Sequence, residues 1–113
     1  MTLAAPYLYL TAAIIFEVIG TTALKASDTF TRLVPTLVTV VSYPICFFFL
    51  ALSLRTIPVG IAYAIWSAVG ITLLALIGWF WFKQALDAPA LLGLALIIAG
   101  IIVINAFSQS LPH

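Results

Sequence analysis

Polar residues fall into three short clusters along this chain. Between and around them run four almost wholly apolar stretches, about Ala4 to Leu24, Val34 to Leu54, Val59 to Phe82 and Ala88 to Phe107. Each is close to the ~20 residues a helix needs to cross a hydrocarbon core. The pattern predicts four transmembrane helices in a single all-α domain covering residues 1–113. The clusters hold nearly all the charge, with Lys25, Asp28 and Arg32 in the first, Arg55 in the second, and Lys83 and Asp87 in the third. They are long enough only for turns. Pro6, Pro35, Pro58 and Pro89 fall in the first turn of a predicted span, where a missing N–H has no helical partner to lose. Pro44 lies inside the second span, where it frees a carbonyl and is expected to kink the helix unless neighbours compensate.

One ionisable residue breaks the pattern. Glu17 stands inside the first apolar stretch, eight residues before Lys25. At a rise of about 1.5 Å per residue, roughly 12 Å of helix separates it from that polar end and roughly 20 Å from the start. This depth is near the bilayer midplane, and a short carboxylate side chain does not reach water from it. An acidic residue at a helix centre costs about 3 kcal/mol on insertion scales, and such residues mark ion, proton or substrate sites. All the basic residues lie in the turns, which leaves Glu17 without a counter-ion of its own.

Composition narrows the function classes. Of 113 residues 65% are hydrophobic and 6% charged, with a net charge of +1, and the mean hydropathy is +1.32. These values describe an integral membrane protein with no nucleic-acid surface. Cys46 is the only cysteine and a terminal His113 the only histidine, which excludes an intrachain disulfide and a His/Cys metal cluster. With three acidic residues and no nucleotide-binding loop or Ser/His/Asp set, enzymatic chemistry is not expected. The first stretch has no basic flank before it and contains a carboxylate, so it reads as a retained span and not as a signal peptide. An even number of spans puts both termini on the side of Arg55, opposite Lys25, Arg32 and Lys83. This small bias favours cytoplasmic first and third loops, and insertion in both orientations stays open.

Helical spacing sorts the rest into faces. Glu17 shares a stripe with Leu10, Ala13, Ile14, Gly20, Thr21 and Leu24. Ala13, Gly20 and Thr21 let a second helix or a ligand approach closely, and the Thr21 hydroxyl is placed to orient the carboxylate. Tyr63, Trp66, Ser67 and Gly70 follow the i, i+3, i+4, i+7 pattern on the third span. Trp66 is too deep for an interfacial belt. An aromatic face of this kind attracts a hydrophobic cation by about 0.5–2 kcal/mol per ring, with core packing as the ordinary alternative. Tyr43 shares a face with Cys46 and Phe47, while Tyr7 and Tyr9 stand near the start of the first span, Tyr9 as a belt residue. On the fourth span Gly93, Ile97 and Gly100 make a seam with heptad spacing suited to close helix pairing, and Asn105 is placed to hydrogen-bond across it.

Four such helices fill their own centre with side chains and leave no room for a large ligand. The functional unit is therefore expected to be at least a dimer, with two copies of Glu17 in a shared cavity.

The blocks Glu17-Val18-Ile19-Gly20-Thr21-Thr22 with Lys25, Phe30-Thr31-Arg32-Leu33, Ile57-Pro58 and Gly60-Ile61-Ala62-Tyr63-Ala64-Ile65-Trp66-Ser67 closely resemble the small multidrug resistance family. The likeness covers essentially the whole chain, down to Pro112-His113. It implies an antiparallel homodimer of four-helix subunits in the bacterial cytoplasmic (inner) membrane, exchanging protons for hydrophobic, often aromatic, quaternary cations. By this resemblance Glu17 binds either protons or the cation, Trp66, Tyr63 and Tyr43 line the cavity, and Tyr7 lies near it. Ala68 and Gly70 belong to a kink of the third helix, and Gly93 and Gly100 to the dimer seam. The family kink commonly reads Gly-Val-Gly, so Ala68 is a departure that bears on bending. A second branch exports guanidinium-type metabolites and usually has tryptophan where this chain has Gly20, which favours large aromatic cargo here.

The mechanism this predicts needs no cofactor, with protons as the coupling ion. Burial and a neighbouring like charge keep each Glu17 protonated near neutral pH until a cation displaces the proton, the pair titrating as a coupled unit. If access changes only when the site is occupied, an inward proton gradient drives cation efflux. Two rivals are a proton-carrying ring subunit of a rotary motor and a structural membrane partner of another protein.

Overall fold

The computed structural model describes residues 4–109. Four helices follow one another, α1 (Ala4–Ala26), α2 (Leu33–Ser53), α3 (Val59–Phe80) and α4 (Ala88–Phe107), joined by short turns. All four are long and apolar enough to span a membrane, with no strand among the described residues. Pro112-His113, part of the family likeness, lies outside the described residues. The chain divides into two units, Met1–Arg55 and Thr56–His113, each a helical hairpin: α1 with α2, and α3 with α4.

The observed helix ends match the expected ones or differ by one or two residues, and at the ends of α1 and α3 the difference has a local cause. Helix α1 continues past Leu24 to Ala26, which places Lys25 in its last turn, where a cation complements the negative end of the helix dipole. Buried Ser27 then closes the turn: its hydroxyl donates to the Leu24 carbonyl at 2.7 Å and accepts from the Phe30 amide at 3.1 Å. Helix α2 occupies residues 33–53, one residue earlier at both ends than expected, and stays helical through Pro44. Helix α3 stops at Phe80 instead of Phe82, because Lys83 takes a left-handed backbone (φ 58°). That turn lets the Gln84 amide donate to the Gly78 carbonyl at 2.8 Å. The Gln84 side-chain oxygen would lie 3.0 Å from a Cβ on Gly78. Pro58 is the N-cap of α3 and not a residue of its first turn.

Helix α4 begins where expected because Asp87 caps it. Its carboxylate accepts from the Ala90 amide at 3.0 Å, and Pro89 occupies a first-turn position that needs no hydrogen-bond partner. Asp87→Ala is expected to lower stability by about 1 kcal/mol, read as a fall in the thermal unfolding midpoint in detergent. An unchanged midpoint would remove the cap from the account.

In the first hairpin α1 buries Leu10, Ala13, Ile14 and Gly20, while α2 buries Thr39, Ser42, Cys46, Leu50 and Ser53. The α2 set recurs every three or four residues, and most of it is small. Small side chains let backbones approach closely, which is how helices associate where water supplies no hydrophobic drive. Phe49 joins the pair further along, stacked on Phe16 at 6.2 Å and on Tyr9 at 6.4 Å. Tyr9 thus has a ring partner in α2, a contact the belt reading did not include. In the second hairpin the balance differs: α4 has no buried residue at all.

Candidate functional site

Glu17 stands near the middle of α1 on the face turned to α2. The Thr21 hydroxyl, one turn on, donates to Glu17 Oε1 at 3.0 Å. Thr21 Oγ1 lies 2.6 Å from the Tyr43 hydroxyl of α2. The other carboxylate oxygen, Glu17 Oε2, is buried and has no hydrogen-bond partner among the described residues. One oxygen is therefore held and the other is buried without a partner among the described residues.

The neighbours of Glu17 fix this arrangement. A Cβ on Gly20 would come 3.2 Å from the Ser42 Cβ and 3.5 Å from the Tyr43 ring. The Thr39 hydroxyl reaches the Gly20 carbonyl at 3.2 Å as well as its own Pro35 carbonyl at 3.0 Å. Glycine at position 20 thus serves close approach of the two helices, and that approach sets the Tyr43 hydroxyl against Thr21. Tyr43 also stacks on Phe47 at 6.3 Å.

The structure brings Glu17, Gly20, Thr21 and Tyr43 together in the first hairpin. Tyr7 is on the same helix, ten residues before Glu17 and about 15 Å along the axis, its carbonyl accepting from Thr11 at 2.8 Å. The second hairpin carries the remaining aromatics. Tyr63 and Trp66 meet edge to face, with ring centroids 5.0 Å apart and an interplanar angle of 73°. Tyr63 is 57% exposed and Trp66 is half-buried. Ser67 is half-buried beside it, and Ala68 and Gly70 are buried in α3, which is helical without a break through both.

On α4, Gly93 and Gly100 have nothing within 4 Å of where a Cβ would stand. Ile97 is exposed, and the exposed Asn105 amide donates to the Ile101 carbonyl of its own helix at 2.9 Å. A groove of about 350 Å³ lies between α3 and α4, lined by residues such as Leu76, Trp79, Phe80, Leu91 and Ile98. It contains no ionisable side chain and gives a cation no counter-charge.

Two contributors were missed from sequence, Thr39 and Ser42, and one residue of α3, Thr72, adds a bond inside its own helix. The first two stood in plain view as members of the small stripe on α2. Thr72 donates to the Ala68 carbonyl at 2.7 Å, a bond within the helix at the expected kink and of a kind that bends helices. Among the described residues no group of three His, Cys, Asp or Glu side chains is placed to hold a metal ion.

A buried carboxylate with one such oxygen is a general device, and the surrounding sequence assigns it to a family. The family model described as Small Multidrug Resistance protein matches residues 5–97. The chain belongs to the small multidrug resistance family. Among its small multidrug resistance relatives, the Multidrug transporter EmrE of Escherichia coli (strain K12) is 54% identical over 108 residues, covering 96% of this chain and 98% of that protein. The Multidrug transporter PA4990 of Pseudomonas aeruginosa is 50% identical over 107 residues, covering 95% of this chain and 97% of that protein. The Quaternary ammonium compound-resistance protein QacE of Escherichia coli is 45% identical over the same share of each. Four spanning helices and membership of this small multidrug resistance family make the chain a multi-pass membrane protein.

Proposed function

We propose that this chain is a proton-coupled antiporter that exports hydrophobic, often aromatic, quaternary cations, with Glu17 as the shared site for proton and cargo. The observation that carries the reading is Glu17 Oε2, buried in the middle of a spanning helix without a hydrogen-bond partner among the described residues. In such a place an ionised carboxylate is costly unless a positive charge meets it. A proton and a cation are the two ways to meet that need, and a single carboxylate serves one at a time. Relatives named for multidrug transport and for quaternary ammonium resistance support the choice of cargo. The exposed Tyr63 with Trp66 supports an aromatic contribution to binding.

The working unit is an antiparallel homodimer in the bacterial cytoplasmic membrane. Support comes from α4, which buries nothing within its own chain and presents Gly93 and Gly100 in open space. A second copy laid along Gly93, Ile97 and Gly100 would use the close approach these residues permit, with Asn105 at the membrane end of the seam.

Purified protein in liposomes with an imposed pH gradient tests the function. Tetraphenylphosphonium and a dialkyl quaternary amine are expected to accumulate against their gradients when the proton gradient runs the other way, and guanidinium is not. Transport of guanidinium alone would move the chain to the metabolite-exporting branch. No gradient-dependent movement of any of the three would leave a non-transporting membrane subunit as the better reading.

A further inference from the structure

We infer that the Tyr43 hydroxyl acts on Glu17 in series, through Thr21, so that Tyr43 is a positioning residue for the carboxylate as well as an aromatic wall. This rests on the proposed competition of proton and cation at Glu17. Thr21 has a single hydroxyl hydrogen, and an ionised Glu17 Oε1 at 3.0 Å can only accept it. The 2.6 Å contact between Thr21 Oγ1 and the Tyr43 hydroxyl must then be donated by Tyr43. The chain of donors runs from Tyr43 to Thr21 to Glu17, which is the polarity an ionised carboxylate requires.

The opposite polarity is available without moving a heavy atom. When Glu17 is protonated on Oε1, its own O–H can donate to Thr21 Oγ1, Thr21 can then donate to Tyr43, and the Tyr43 hydrogen is turned away. Two hydroxyl rotations therefore report the state of Glu17 to α2. The rotations need the oxygens to stay within hydrogen-bond reach, and Gly20 secures this by letting Ser42 and the Tyr43 ring approach the α1 backbone. The Thr39 bond to the Gly20 carbonyl fixes the same register. On α2 the titratable side chains are Tyr43 and buried Cys46, with no charged residue between Leu33 and Ser53. Thr21 is the hydrogen-bonded link from Tyr43 of α2 to Glu17 Oε1.

A series connection makes a distinct prediction for a double-substitution cycle, read as the dissociation constant of tetraphenylphosphonium for purified protein in detergent. Near pH 7, Thr21→Val is expected to weaken binding about tenfold, the size of one hydrogen bond to a charged group. Tyr43→Phe keeps the ring and is expected to weaken binding severalfold in the native or Thr21→Ser background, yet to add nothing in the Thr21→Val background. Both losses should shrink as the pH is raised and protons compete less, whereas a merely misplaced ring would weaken binding equally at every pH. Additive losses, or losses that do not change with pH, overturn the series connection while leaving the antiport reading in place. Should Thr21→Val fail to fold, the pH contrast of Tyr43→Phe decides alone. A native protein that does not bind the cation at all overturns both readings.

Discussion

Glu17→Gln is expected to abolish gradient-driven cation transport while leaving the protein folded. The amide has the shape of the carboxylate, and its oxygen can still accept from Thr21, so the hairpin of α1 and α2 keeps its contacts. What it loses is the charge. The neutral side chain carries no proton to exchange and offers a cation no Coulomb attraction, which in a low-dielectric site is the larger part of binding. Tetraphenylphosphonium affinity should fall by at least about a hundredfold, given that pairs of buried opposite charges are worth several kcal/mol. Transport in liposomes and helical content by circular dichroism check the two halves of this expectation. A glutamine variant that still exchanged protons for cations would remove Glu17 from the mechanism.

The second large effect is expected at Gly20. Any Cβ there starts 3.2 Å from the Ser42 Cβ, so alanine fits only if the helices part by a few tenths of an ångström. A leucine side chain has no such option. Gly20→Leu should destabilise the first hairpin by about 1–3 kcal/mol, the usual range for overpacking a tight contact. It should also weaken cation binding, because parting the helices draws the Tyr43 hydroxyl away from Thr21. The combined substitution Gly20→Ala with Ser42→Gly is expected to recover most of what Gly20→Ala loses, since it returns the displaced volume. Thermal unfolding and cation affinity in detergent measure both. Native stability and affinity in Gly20→Leu would mean that the close approach is not needed.

The parts of this molecule that were legible in the sequence are those set by the membrane itself. Hydrocarbon thickness fixes the length of an apolar run, and backbone hydrogen bonding in lipid makes each run a helix, so the four elements appear within one or two residues of their expected ends. The ends themselves were less legible. The left-handed Lys83 and the return of Gln84 to Gly78 decide where α3 stops, and neither follows from hydropathy. The same division holds at the site. Glu17 stood out because charge in lipid is costly, and the placement of Thr21 against it followed from helical periodicity. The contact of Tyr43 with Thr21 did not, because it depends on which face α2 turns to α1. That face is chosen by Thr39, Ser42 and Cys46, small residues whose spacing carried the information although none has chemistry that draws notice alone. Helical spacing offers Gly20 as room for a second helix or a ligand, and the family resemblance adds width for cargo; the structure sets it against Ser42 and Tyr43 of the neighbouring helix.

Proton and cation are expected to exclude one another at Glu17. Adding tetraphenylphosphonium to purified protein in weakly buffered detergent solution near neutral pH measures this directly. Protons are expected to be released as the cation binds, in an amount that falls to nothing as the starting pH is raised and the carboxylate is already bare. Tight binding of the cation with no proton release at any starting pH would contradict it.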